Sequence, residues 1–189
     1  MRLINIETLQ LQRFPEDSIP PYAILSHVWG HQDDECRFQD FNDTKQHSEQ
    51  LRSKRGYAKI INFCRKAQEH GHTWAWADTV CIDKTSYEEL NTAINCMFAW
   101  YEQSEVCFAY LDNVEYCGPV IAIKRSSWFQ RGWTLQEFIA PVRLSFFSRE
   151  WTFLFARDDT SRGLESIAHG LVVKKRADLL AGYTAAEKM

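Results

Sequence analysis

Short stretches of alternating and continuous apolar residues along the chain predict a series of β-strands. Residues 1–14 alternate apolar and polar positions twice around the polar pair Glu7-Thr8, and a period of two on either side of a polar turn predicts a β-hairpin. Residues 22–26 form a nearly continuous apolar run, which is typical of a strand buried on both faces. Further strands are predicted at 74–78, 106–111, 143–147 and 151–155.

Between these strands the apolar spacing changes to that of helices. Residues 57, 60, 61, 64 and 67 are apolar and precede Gly71, which predicts an amphipathic helix over 57–70. Ser86 and Glu89 form a capping box, followed by a helical apolar stripe from 90 to 101. A third helix is predicted over 133–140, and further helices over 161–169 and 177–189. Residues 31–54, apart from a short element near Phe38, and 112–125 are expected to be loops.

The alternation of strands and helices predicts an α/β fold, with a parallel sheet flanked by helices on both faces. An N-terminal β-hairpin and a helical C-terminal extension complete the prediction. We expect one domain over 1–155 and the extension over 156–189. The chain has no glycine-rich phosphate loop, which argues against a Rossmann or P-loop enzyme.

Composition narrows the class of protein. The formal charge of −3 and pI near 6.1 give no reason to expect nucleic acid as a partner. The chain has no apolar run of membrane-spanning length and no signal-peptide pattern, so we expect a cytoplasmic protein without a membrane partner. Six cysteines without a C-x-x-C pair indicate reduced thiols, and no metal site is predicted.

Candidate chemistry lies where the predicted strands end. Ser26, His27, Trp29 and Gly30 lie at the C-terminal end of the first parallel strand, and Asp78 and Asp83 lie at the C-terminal end of the second. Ligands of open α/β sheets bind outside the carboxyl ends of the strands. In the third helix Trp133 and Glu137 are four residues apart and share a face, and a carboxylate among aromatic rings is costly unless a cation or hydrogen-bond donor meets it.

Four segments in this order resemble the fungal heterokaryon-incompatibility (HET) domain. They are YAILSHVWG at 22–30, WADTVCIDK at 76–84, ELNTAINCMFAWY at 89–101 and WFQRGWTLQE at 128–137. The resemblance covers roughly residues 1–155. It implies a role in self/non-self recognition and programmed cell death, and it implies that this chain belongs to a longer protein with other domains.

The HET domain is regarded as a remote relative of the Toll/interleukin-1 receptor (TIR) domain, which implies a flavodoxin-like, TIR-like fold. Residues 25–30 resemble the TIR turn after the first strand, with one extra residue, and 126–138 resemble the helix that carries the glutamate of NAD-cleaving TIR domains. The similarity places Glu137 at that catalytic position. An insertion at Arg131-Gly132 departs from the pattern.

The resemblance therefore implies an NAD glycohydrolase that is active on self-association, with NAD or a related nucleotide as substrate and no cofactor. Glu137 is the predicted catalytic residue. Substrate-binding roles are expected for residues that stack on rings or bind ribose and phosphate groups: Ser26, His27, Trp29, Gly30, Asp78, Asp83, Trp128, Arg131 and Trp133.

Structural roles are the alternative for each of these residues. The tryptophans fit a core, His27 fits a role in satisfying backbone carbonyls, and the two aspartates fit a braced turn. Arg131 fits a role in bracing Glu137, and Asp83-Lys84 fits a surface pair. A nucleophilic Cys81 is disfavoured because no base partner is evident. At the level of function the alternatives are a non-enzymatic homotypic assembly module, which needs no exposed carboxylate, and a nucleoside deoxyribosyltransferase-like enzyme, which would consume deoxynucleosides.

Overall fold

The computed structural model of the protein describes residues 1–42, 48–117 and 120–157. The predicted helices at 161–169 and 177–189, and nearly all of the predicted extension, lie outside the described residues.

Seven strands and seven α-helices make up the described fold. The strands are β1 (Arg2–Asn5), β2 (Leu11–Arg13), β3 (Ala23–His27), β4 (Trp74–Trp76), β5 (Val106–Tyr110), β6 (Leu144–Phe147) and β7 (Phe153–Ala156). The helices are α1 (Phe38–Asn42), α2 (Glu49–Ser53), α3 (Arg55–Glu69), α4 (Asp78–Cys81), α5 (Tyr87–Gln103), α6 (Val120–Lys124) and α7 (Thr134–Ile139). Short 3₁₀ helices occupy Glu16–Ser18 and Ser127–Gln130.

All seven strands form one sheet in the order β2-β1-β4-β3-β5-β6-β7. The central strands β4, β3, β5 and β6 are parallel, which confirms the predicted parallel core. The predicted parallel sheet is parallel only at its centre, because both edges are antiparallel. There β1 pairs antiparallel with β4, and β7 pairs antiparallel with β6. Only five residues separate β6 from β7, too few for a crossover, so the chain turns back as a hairpin.

The predicted N-terminal hairpin is confirmed and extends the sheet. Leu3 of β1 lies opposite Gln12 of β2, and Ile4 on the other edge of β1 pairs with Ala75 of β4. Leu3 and Ile4 are fully buried, so the hairpin is part of the core.

Helices cover both faces of the sheet. Leu25 of β3 lies beside Phe108 of β5, whose ring packs edge to face against Phe63 of α3. Ser26, the next residue of β3, contacts Glu137 of α7. Successive side chains of a strand point to opposite faces, so α3 and α7 lie on opposite sides of the sheet. Large buried side chains fill both interfaces, among them Tyr22, Phe63, Trp76, Tyr101, Trp128 and Phe146.

Local predictions differ from the structure at several boundaries. The strand predicted over 74–78 ends at Trp76, because Asp78 begins α4. The region 31–54 contains α1 and α2 in addition to loop, and 112–125 contains α6. Ser86 caps α5 as predicted, accepting a hydrogen bond from the Glu89 backbone N–H. Within the described ranges no helix is long and apolar enough to cross a membrane.

Candidate functional site

A hydrogen-bonded chain of three side chains holds the Glu137 carboxylate. The Trp128 indole Nε1–H donates to the Ser26 hydroxyl over 2.7 Å, and the Ser26 hydroxyl donates to Glu137 Oε2. Ser26 and Trp128 are fully buried, and Glu137 is 6% exposed. These residues belong to β3, the 3₁₀ helix and α7, which meet only in the folded chain. Because Ser26 is anchored on both sides, Glu137 has a fixed position beside the sheet.

A cavity of about 210 Å³ opens beside Glu137 at the carboxyl edge of β3. Its lining includes six of the predicted site residues, namely His27, Trp29, Asp78, Arg131, Trp133 and Glu137. The folded chain therefore brings together residues that lie as much as 110 positions apart in sequence. Trp29 and Trp133 are each 49% exposed, so both rings offer a surface to a ligand at the mouth of the cavity.

His27 and Asp78 form a buried pair on one wall of the cavity. His27 Nε2 lies 3.1 Å from Asp78 Oδ1, and Lys84 Nζ lies 3.0 Å from Asp78 Oδ2. Burial opposes ionisation of Asp78, but the Lys84 ammonium and the His27 ring outweigh it and hold the pKa of this carboxyl below its usual range. Burial and then the Lys59 ammonium lower the pKa of His27. His27 is therefore neutral near pH 7 and donates its Nε2–H to the carboxylate.

Two cations flank the exposed Trp29 ring. Lys84 Nζ lies 3.8 Å from the ring centroid, and the Arg131 guanidinium carbon lies 5.2 Å from it. Both distances allow cation–π attraction. Arg131 also donates to the His27 carbonyl oxygen over 2.6 Å, which fixes the guanidinium at the cavity wall. The cavity thus combines two buried carboxylates, Asp78 and Glu137, with aromatic rings and positive charge.

Four predicted site residues do not line this cavity. Trp128 is fully enclosed, so its predicted stacking role was wrong, and its indole acts behind the cavity through Ser26. Ser26 likewise supports Glu137 from within the core. Asp83 accepts hydrogen bonds from Gln39 and Thr85 on the surface instead. Gly30, the residue after Trp29, lines a neighbouring cavity instead.

Sequence reasoning missed several parts of the site. Lys84 is considered there only as half of a surface pair with Asp83. Leu90, Ile94 and Met97 of α5, which form an apolar wall of the cavity, are considered only as part of a helical stripe. Tyr101 also lines the cavity and donates to the Leu25 carbonyl oxygen over 3.1 Å. Burial, followed by the Glu137 charge, raises the pKa of Tyr101. The helical stripe of α5 contained the signal, because Leu90, Ile94, Met97 and Tyr101 fall on one face.

A buried ion pair that sequence reasoning also missed holds the turn carrying Trp29. Lys59 Nζ lies 2.8 Å from Glu35 Oε1, and the two side chains are 10% and 8% exposed. Glu35 accepts the Gly30 backbone N–H over 2.5 Å, and Lys59 donates to the Val28 carbonyl oxygen over 3.2 Å. The ion pair therefore binds the backbone on both sides of Trp29, at Val28 and Gly30, to Lys59 of α3 and to Glu35 of the loop after β3.

Neither a reactive Cys81 thiol nor a metal-binding cluster is found among the described residues. Burial raises the pKa of Cys81 to about 12, so its thiol stays protonated at neutral pH and is a poor nucleophile. In the three described ranges no group of His, Cys, Asp and Glu side chains is arranged to hold a metal ion.

Sequence comparison identifies the class of protein to which this fold and site belong. The profile of the family described as Heterokaryon incompatibility protein (HET) matches residues 22–118, just over half of the chain. The matched region includes β3, α3, β4, α5 and β5, and therefore the strand edge on which the cavity is built. The chain belongs to the HET family.

One relative extends the match across nearly the whole chain. The vegetative incompatibility protein HET-E-1 of Podospora anserina is 38% identical over 183 residues, which cover 93% of this chain. The chain spans only about 13% of the length of that relative. No solved structure matches the chain at a significant level.

Proposed function

We propose that this domain hydrolyses the bond between nicotinamide and ribose in NAD, with Glu137 as the catalytic residue. The observation that carries the proposal is the Glu137 carboxylate, which is held by Ser26 in a cavity that also offers Trp29, Trp133 and Arg131. A carboxylate in this setting stabilises positive charge that develops on a bound ligand.

The chemistry requires only one carboxylate. Cleavage of an N-glycosidic bond passes through an oxocarbenium-like transition state. The electron pair of the bond leaves with the cationic pyridinium, so nicotinamide departs neutral and needs no general acid. Water adds to the anomeric carbon and loses a proton, for which the Glu137 carboxylate is the nearby acceptor. Trp29 and Trp133 provide ring surfaces, and Arg131 provides a partner for phosphate.

The order of the strands in the sheet supports the proposal. The four parallel strands, numbered along the chain, lie in the order second, first, third, fourth. This is the beginning of the flavodoxin-like order, in which ligands bind where the strand order reverses. Here that point lies beside β3, which carries Ser26 and His27. We therefore include a flavodoxin-like, TIR-like architecture in the proposal.

We further propose that the domain acts in self/non-self recognition leading to cell death. Membership of the HET family and the similarity to a vegetative incompatibility protein support this role. The proposed setting is the cytoplasm, since all six cysteines are free and reduced thiols are typical there. Other domains of a longer protein would bring copies together and activate hydrolysis.

The experiment is release of nicotinamide from NAD by the purified chain at high concentration, with the fold of each variant checked by circular dichroism. Glu137→Gln keeps the shape of the side chain and removes its charge, so we expect turnover to fall at least about 100-fold, the scale for loss of an electrostatic catalytic group. Glu102→Gln, an exposed carboxylate on α5, is the matched control and should keep full activity. Undiminished turnover in folded Glu137→Gln would refute the assignment.

A non-enzymatic assembly module is the second candidate. Two apolar side chains four residues apart on α5, Ile94 and Phe98, are 41% and 45% exposed, as on a helix face that meets another copy. This reading predicts no nicotinamide release even when the chain is clustered artificially. Consumption of deoxynucleosides in place of NAD would instead indicate a deoxyribosyltransferase-like activity.

A further inference from the structure

Helix α5 presents a strip of large apolar side chains to solvent. Of its 17 residues only Ala93 and Tyr101 are buried. Tyr87, Ile94 and Phe98 are 86%, 41% and 45% exposed, and their spacing along the helix places them on one side of it. We call these three residues the α5 strip. Contiguous exposed apolar surface of this kind marks a site of interaction.

The α5 strip borders the mouth of the Glu137 cavity. Ile94 belongs to the strip and also lines the cavity. Trp133, which is half exposed, lines the same cavity and continues the apolar surface towards α7. The cavity, at about 210 Å³, is smaller than the volume of about 300–1,000 Å³ that is typical of small-molecule sites. A molecule docked on the strip therefore adds an outer wall to this cavity.

The helix that carries the strip is acidic. It contains three glutamates and no lysine or arginine. Glu89 is ion-paired with Arg2 of β1, whereas Glu88 is exposed next to Tyr87. Interfaces are arranged so that charges of opposite sign meet across them. A partner that fits the strip therefore combines positive charge with room for large apolar side chains.

The outer face of α3 has this complementary character. The helix contains four cations and one carboxylate. Lys59 is paired with a glutamate of the loop after β3, and Lys66 is paired with the last residue of the helix. The two remaining cations, Arg55 and Arg65, are exposed. Ala58 is exposed between them, and its small side chain leaves room for a larger one.

The two complementary faces lie on opposite sides of the sheet. Helix α5 lines the Glu137 cavity together with α7, whereas α3 packs on the other side. Two different surfaces of one chain that fit each other form a heterologous interface, in which every docked copy leaves a further surface free. Copies of this chain can therefore add head to tail, and the chain itself supplies both partners.

We propose that the α5 strip of one copy docks on the outer face of α3 of a second copy, with Arg55 and Arg65 of α3 against the acidic helix. The docked copy covers the mouth of the Glu137 cavity, and this contact is the self-association that activates hydrolysis. The activating role rests on the proposed NAD hydrolysis, whereas the contact between copies does not depend on it.

Sedimentation velocity of the purified chain at increasing concentration tests the contact. The wild type should form dimers and larger species. Phe98→Lys blocks the α5 strip, and the double variant Arg55→Glu/Arg65→Glu blocks the α3 face. Each should weaken association at least about tenfold, as expected for residues at the centre of an interface. Phe153→Lys, at a phenylalanine of β7 that is 44% exposed, is the matched control and should associate like the wild type.

An equimolar mixture of the two blocked variants tests the head-to-tail geometry. Each variant keeps one intact face, so the mixture should give dimers and no larger species, while each variant alone stays monomeric. Circular dichroism checks that both are folded. An arginine variant that associates like the wild type would overturn the inference, because a symmetric contact between two α5 strips does not use α3. A wild type that stays monomeric at every concentration would also overturn it, and would show that something other than a second copy covers the strip.

Nicotinamide release separates the contact from its consequence. Turnover per chain should rise with association in the wild type. In the mixture, release should disappear when Glu137→Gln is placed in the arginine variant, whose cavity is the covered one, and persist when it is placed in Phe98→Lys. Dimers without any nicotinamide release would support the contact and contradict the proposed hydrolysis. Equal turnover per chain in associating and monomeric variants would leave the hydrolysis standing and overturn the activating role.

Discussion

Replacing Ser26 with alanine should destabilise this protein far more than an ordinary serine deletion does. The Ser26 hydroxyl accepts the Trp128 indole N–H and donates to the Glu137 carboxylate, and it is fully buried. Ser26→Ala removes both bonds at once. Deleting the partner of a buried neutral donor costs about 1–3 kcal/mol, and a hydrogen bond to a charged group contributes about 1.5–3 kcal/mol. Because one hydroxyl serves both bonds, we expect a combined loss of about 2–4 kcal/mol in the free energy of unfolding.

Ser104→Ala is the matched control for this prediction. Ser104 is also buried, and its hydroxyl donates one 2.7 Å hydrogen bond to the Tyr101 carbonyl oxygen. A single neutral hydrogen bond contributes about 1 kcal/mol. Urea unfolding of the whole chain at pH 7, followed by circular dichroism, measures both variants, and the slope with denaturant should stay constant. A difference between the two variants of less than about 0.5 kcal/mol, the scatter expected for independent sites, would refute the double role of the Ser26 hydroxyl.

A double-mutant cycle separates the indole bond from the rest of the effect. Trp128→Phe keeps an aromatic ring and removes the N–H. Because the Trp128 indole N–H donates to the Ser26 hydroxyl, the losses in Ser26→Ala and Trp128→Phe should overlap, with a coupling of about 1 kcal/mol. Distant, independent sites add within about 0.3–0.5 kcal/mol, so additivity at that level would show that the two groups do not interact.

Three further predictions concern groups around the site. Burial, followed by the charge of Lys59, lowers the pKa of His27. Below about pH 6.5 the unfolded chain therefore binds more protons than the folded chain, and the free energy of unfolding falls. His27→Gln should flatten this dependence between about pH 6.5 and 5, and an unchanged slope would contradict the buried, neutral histidine. Glu35→Gln leaves the buried Lys59 ammonium unpaired and should lower the free energy of unfolding in urea by about 3–5 kcal/mol. Glu115→Gln, in an ion pair whose two side chains are more than half exposed, should lower it by less than about 1 kcal/mol. Equal losses in the two variants would refute the buried pairing. At Gly56 an added Cβ would lie 2.5 Å from a backbone nitrogen of the neighbouring loop, whereas at Gly132 it would meet nothing within 4 Å. Gly56→Ala should therefore lower the unfolding free energy by about 1–3 kcal/mol and Gly132→Ala should not, and equal thermal stability of the two variants would contradict the close approach.

Patterns within single segments were enough to predict most of the fold. The apolar runs at 22–26 and 106–111 correspond to the buried strands β3 and β5, and the stripe after Ser86 corresponds to α5. These predictions succeed because the period of apolar positions is set by local backbone geometry. The mixed character of the sheet was not predictable in the same way, since β1 pairs with β4 across about 70 residues of chain.

The sequence by itself also placed Glu137, His27 and Asp78 in the candidate site, the first through a family resemblance and the others through their position after predicted strands. Only the tertiary structure decided what surrounds them. Trp128 and Trp133 are five residues apart and equally apolar, yet one is enclosed behind Ser26 and the other is half exposed at the cavity. Similarly, lysine is usually a surface residue, yet the Lys84 ammonium contacts the Asp78 carboxylate and the Trp29 ring. Periodicity reports which side of its own element a residue occupies, whereas burial and charge pairing depend on which other elements pack against that side.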